Sequence, residues 1–145
     1  MTLPSSAFVA TFGECDLYVV EGHNWVLKCG SHFIDTATLK NGKTPGWLPL
    51  LEQDYADFQE ALVRGLAHLG HEESALQLAA FPAHDLILLG LASPSAYWVN
   101  LALQWVGKIG AWPALLPTLR SLSLDPYLSQ PIRHAAKRLY YTGKL

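Results

Sequence analysis

Charge is scarce in this sequence, and so are cysteine and methionine. Only 15% of the residues are Asp, Glu, Lys or Arg, and the formal net charge is −2. With a pI near 6.3, the chain is not a nucleic-acid binder held by bulk positive charge. Its two cysteines, Cys15 and Cys29, lack C-x-x-C spacing. A zinc site or a dithiol redox motif therefore has no sequence basis, and both are read as small apolar side chains in or near strands. No run reaches the roughly 18 uncharged apolar residues that span a bilayer. The longest candidate, residues 86–103, is interrupted by Ser93-Pro94-Ser95 and carries Asn100. The opening Met1-Thr2-Leu3-Pro4-Ser5-Ser6 has no basic residue and no apolar run behind it, so no Sec-type leader is expected. A soluble, cytoplasmic protein without a membrane partner is the expectation.

Catalytic motifs are missing too. There is no G-x-S-x-G, H-E-x-x-H, Walker or G-x-G-x-x-G pattern. The best metal-like pair, His68 and His71, is separated by Gly70, a helix breaker, and nothing falls at a confirming spacing. Glu72 and Glu73 beside it suit the first turn of a helix, where the dipole favours acids. Asp54 and Asp57 share a helix face, but such pairs usually form solvated stripes. The chain is thus expected to be no enzyme and to hold neither cofactor nor metal.

What is present is a core. Of 145 residues, 50% are hydrophobic and 11% aromatic, enough to offset the entropy of ordering one domain. Residues 16–21, 25–29 and 32–36 read as strands, with Gly30-Ser31 as a tight hairpin turn. Residues 8–12 are a further candidate strand, and the turn-rich residues 41–46 close this region. Leu51, Tyr55, Phe58, Leu62, Leu66 and Leu69 then mark one helix face, with Gly70 as its stop. Further helices are expected over residues 72–81, 84–92, 93–108, 112–122 and 130–141. The segment 84–92 is expected to be buried all round, and Ser93-Pro94 to start the helix that follows. Strands followed by helices, without alternation, predict an α+β fold. It is one domain, 1–145, with a small β meander over 1–46 and about six stacked antiparallel helices over 47–145.

Residues 114–140 resemble a HEAT-type repeat. The first helix of that pattern is Ala114-Leu115-Leu116-Pro117-Thr118-Leu119-Arg120-Ser121-Leu122. The turn is Asp125-Pro126, and the second helix carries Arg133-His134-Ala135-Ala136-Lys137-Arg138-Leu139. Here Ala135 and Ala136 would let two helices approach, Asp125 would cap the turn, and Pro117 would bend the first helix. The resemblance covers roughly a fifth of the chain and implies an interaction surface. By size, class and charge pattern the chain also resembles bacterial immunity proteins, which neutralise secreted toxins.

The informative feature is polarity along the chain. Residues 1–90 hold eleven acids and four Lys or Arg, a balance of −7. Residues 91–145 hold one acid and six Lys or Arg, a balance of +5. Internal pairing of the two halves is one account. The other is an oppositely charged partner. On that account the chain is a non-catalytic protein-binding module, most concretely an immunity-type inhibitor covering the working surface of a toxin. Asp54, Asp57, Glu60, Glu72 and Glu73 would meet a basic protein surface, and Trp47 would serve as an exposed aromatic anchor. The alternative uses the basic C-terminal face of Arg133, His134, Lys137 and Arg138, with Arg120 and Lys144, to grip nucleic acid. A homo-oligomer joined acidic face to basic face is the third reading.

Overall fold

The computed structural model describes residues 6–20, 23–36, 39 and 45–144. The fold is α+β. Four strands, β1 (Ala7–Phe12), β2 (Cys15–Val20), β3 (Asn24–Cys29) and β4 (His32–Asp35), form an antiparallel meander in chain order. A 3-10 segment (Pro45–Glu52) leads into α1 (Tyr55–Gly65), α2 (His71–Ala79) and α3 (Ala83–Leu91). Then come α4 (Ala96–Ile109), a 3-10 turn (Pro113–Leu115), α5 (Leu116–Ser123) and α6 (Gln130–Gly143). The chain divides into two compact units, Met1–Leu86 and Ile87–Leu145. The sheet shares the first unit with α1 and α2, so this grouping runs across the strand-to-helix transition at residue 46. Of the loop expected at 41–46, positions 41–44 lie outside the described residues.

In the first unit, the two-residue hairpins after β1 and β3 each begin with a glycine at positive φ, Gly13 (61°) and Gly30 (64°). Gly reaches this region without the steric cost a Cβ imposes. Register then sorts the side chains. Leu17 pairs with Leu27 and Val19 with Trp25, all buried on one face. Thr11, Asp16, Lys28 and Phe33 form a row on the other face. The Thr11 hydroxyl donates to Asp16 at 2.7 Å, and the Lys28 ammonium sits 5.7 Å from the centre of the Phe33 ring.

Strand β1 breaks the two-residue period. Phe8 pairs with Tyr18 but Ala10 with Leu17, so Val9 is a bulge residue. Val9 and Phe12 lie three apart and are both buried, which a regular strand would forbid. A run of ring contacts follows: Phe12 to Phe58 (centroids 4.9 Å), Phe58 to Phe81 (5.1 Å) and Phe81 to Trp25 (5.4 Å). These rings seat α1 and the segment after α2 on the sheet. Each such pair adds about 0.5–1.5 kcal/mol beyond the area it buries.

Several expectations are corrected here. Cys15 and Cys29 are not two independent apolar side chains: β2 and β3 bring them directly opposite, and they form a disulfide. Leu51 belongs to the 3-10 segment, because Asp54 caps a new helix by accepting from the Asp57 amide at 3.2 Å. That helix ends at Gly65, and Gly70 is the N-cap of α2, not a stop for α1. In α2 the buried residue is Gln77, whose amide donates to the Asn24 carbonyl at 3.4 Å, whereas the apolar Leu76 is exposed. Helix α3 leaves Leu88 exposed, so it is not buried all round. The segment His71–Leu91 is long and apolar enough to cross a membrane by composition. Its helical run is interrupted between α2 and α3, at residues 80–82, and it carries Asp85.

In the second unit, α4 buries Val99, Ala102, Leu103, Trp105 and Val106. It starts at Ala96, two residues beyond Pro94, because the Ser93 hydroxyl accepts from the Ser95 amide at 3.1 Å and holds a turn there. Pro117 lies in the first turn of α5, where its missing donor costs nothing, so it does not bend a helix interior. Asp125 accepts from the Tyr127 amide at 2.9 Å and fixes the turn toward α6. Helices α5 and α6 pack together through the buried Leu119, Ile132 and Ala136.

Candidate functional site

The acidic candidates lie on α1 and α2 and at their starts. Asp54, Asp57, Glu60, Glu72 and Glu73 are all exposed. Their present engagements differ. Asp54 is the cap of α1. Glu60 pairs with Arg64 one turn along, the favourable order for an acid and a base on a helix. Glu73 meets His23 at 3.0 Å, tying α2 to the turn before β3. Asp57 and Glu72 have no side-chain partner among the described residues. Asp57, Glu60 and Val63 recur every three residues on the outer face of α1, and Val63 is 51% exposed. Leu76 on α2 is 50% exposed. Apolar side chains thus stand among the acids, which the sequence reading missed. The signal was present: Val63 falls off the apolar stripe drawn through Phe58, Leu62 and Leu66.

Trp47 is corrected. Its side chain is 0% exposed, in the core formed with Leu48, Leu50 and Leu51, so it cannot anchor a partner. The 3-10 segment is apolar along most of its length, and that composition draws it inside.

The basic candidates lie on α6, and their side chains do not share one destination. Lys137 lines a groove of about 320 Å³ with Arg120, Ser123, Leu124, Tyr140, Tyr141 and Lys144. Arg138 opens on a separate groove of about 220 Å³ with Asn100, Gln104 and Gly107 of α4. His134 is exposed. Arg133 is half-buried, and its Nε has no hydrogen-bond partner among the described residues. Helical geometry explains the divergence, since successive residues project about 100° apart.

The first groove is the more polar. It takes Arg120 from α5 and Lys137 and Lys144 from α6 and its end, and no acid among the described residues lines it. The Lys144 ammonium stands 5.2 Å from the Tyr140 ring centre and 5.9 Å from that of Tyr141. The two rings lie nearly edge to face, 5.3 Å apart. They hold the cation in place by attraction to their π faces. Tyr140 was not among the sequence-derived candidates, although its four-residue spacing to Lys144 is one helical turn.

Among the described residues no three His, Cys, Asp or Glu side chains gather as metal ligands. His68 lies in the turn after α1 and His71 opens α2, both exposed. The division of charge follows the division of the fold. The unit Met1–Leu86 holds eleven acids and four Lys or Arg; Ile87–Leu145 holds one acid and six. Set against family models, curated proteins and solved structures, the chain matches none of them.

Proposed function

We propose that this chain is a non-catalytic protein-binding module of the immunity type, whose acidic first unit covers a basic surface of a partner protein. The observation that carries the reading is the outer strip of α1. There Asp57, unpartnered among the described residues, then Glu60 and the exposed Val63, repeat at three-residue spacing. Acids on such a face speed encounter with a basic partner by steering. Apolar side chains among them supply surface that gains stability when desolvated. Leu76 with Glu72 and Glu73 extends the same chemistry onto α2. The HEAT-like reading of residues 114–140 agrees with an interaction role and is part of this proposal.

The test is capture from the native cell extract at low and high salt, comparing the parent chain with Asp57→Lys/Glu60→Lys. Support is a basic protein retained at low salt, lost with the double reversal, and whose toxicity to cells is relieved by co-expressing the parent chain. Retention that ignores both salt and charge reversal sinks the reading. Self-association that the reversal abolishes would favour the homo-oligomer instead.

The Cys15–Cys29 disulfide bears on the expected cytoplasmic location, and it points the other way. Cytosolic thiol pools keep most cysteines reduced. Both thiols free after rapid alkylation in cells would support that location. An intact disulfide would assign the protein to an oxidising compartment.

A further inference from the structure

We propose that the groove between α5 and α6 binds a small phosphorylated ligand with a flat organic body, of the nucleoside monophosphate class. The inference is independent of the acidic face, because every residue it uses belongs to the second unit. Three cations, Arg120, Lys137 and Lys144, line one concavity, and among the described residues no acid joins them. Arg120 and Lys137 have no side-chain partner among the described residues. Asp125 accepts from the Tyr127 amide and is not among the residues lining the groove. Gathering like charges costs free energy unless an anion is shared among them. A phosphoryl dianion suits the set: a guanidinium donates to two oxygens at once, and each ammonium adds a point charge.

The cradle is partly preorganised. Lys144 is held over the Tyr140 and Tyr141 rings, so less of its side-chain freedom is lost on binding. The remaining lining selects the body of the ligand. Leu124 is 69% exposed and Tyr141 57% exposed, and both border the cations. A bare ion would leave that apolar and aromatic surface wet, whereas a purine ring would cover it. Size and layout argue against a duplex. The volume of about 320 Å³ lies at the small end of ligand pockets. Three cations lining one groove are fewer than a backbone track would use.

The experiment is a titration of the full chain in low-salt buffer with adenosine 5′-monophosphate, adenosine and inorganic phosphate, read by calorimetry and by amide chemical shifts. The expected result is saturable one-to-one binding of the monophosphate, with adenosine and phosphate each weaker by about tenfold or more. Arg120→Gln and Lys137→Gln should each weaken the monophosphate by about tenfold, with unchanged circular dichroism. Tyr141→Ala should weaken it, and Tyr141→Phe should restore the parent affinity. The inference is overturned by no saturable binding, by inorganic phosphate binding as well as the monophosphate, or by indifference to the two charge-removing variants. A single-stranded oligonucleotide that binds far tighter, with a steep salt dependence, would overturn it in favour of nucleic acid.

Discussion

A Cβ placed on Gly65, the last residue of α1, would lie 2.2 Å from the carbonyl oxygen of Val9 and 2.6 Å from its Cγ1. No real Cβ sits so close to a backbone oxygen. The bulge at Val9 carries that carbonyl toward the helix, and the missing side chain lets α1 rest on β1. Gly65→Ala must therefore push the helix from the sheet. The expected loss is about 2–3 kcal/mol, seen as a lower denaturant midpoint. Gly107 is the control. It lies inside α4 with nothing within 4 Å of a built Cβ. Gly107→Ala should stabilise by about 0.5–1 kcal/mol, since alanine loses less backbone entropy in a helix. Equal effects at both glycines would refute the close approach.

The disulfide closes a loop with a sequence separation of 14 between adjacent strands. Restricting that loop in the unfolded chain is worth about 3 kcal/mol. Chemical denaturation with and without reductant should show a loss of this order. The double variant Cys15→Ser/Cys29→Ser should show it without reductant and then ignore reductant. If reduction leaves the midpoint unchanged, the pair contributes nothing to stability.

Asp54 and Asp57 should separate by assay. Asp54 caps α1, so Asp54→Ala should cost about 1 kcal/mol of stability. Asp57 uses only its backbone amide in that contact. Asp57→Lys should therefore leave the cap in place while weakening a basic partner. Measuring melting and partner affinity for both variants checks the assignment. An Asp54 variant as stable as the parent would remove the cap from the account.

Trp47 offers a test of the corrected role. A fully buried indole replaced by alanine leaves a large cavity, at about 3–5 kcal/mol. Trp47→Ala should lower the melting midpoint sharply, and whatever folded protein remains should bind a partner like the parent. Normal stability with lost binding would restore the anchor reading.

The order of elements was legible because it is written in local periodicity. Alternation through Leu17, Val19, Trp25 and Leu27 marks strands, and the spacing of Tyr55, Phe58 and Leu62 marks a helix. Boundaries were less so, since Asp54 and Ser93 act through hydrogen bonds that composition does not reveal. The candidate acids and bases were legible as residues but not as partners. Glu73 reaches His23 across 50 positions, and Arg120 joins Lys137 across 17.

The sequence by itself determined the α+β class, the meander with its Gly30-Ser31 turn, and the split of charge between an acidic and a basic stretch. Each follows from neighbours within a few residues, where propensity and periodicity act. Tertiary structure decided which side chains meet. It set Cys15 opposite Cys29, buried Trp47 and Gln77 while leaving Leu76 outside, and sent Lys137 and Arg138 into different grooves. These outcomes depend on strand register and helix packing between distant segments, and a one-residue slip in a strand would turn its side chains to the opposite face.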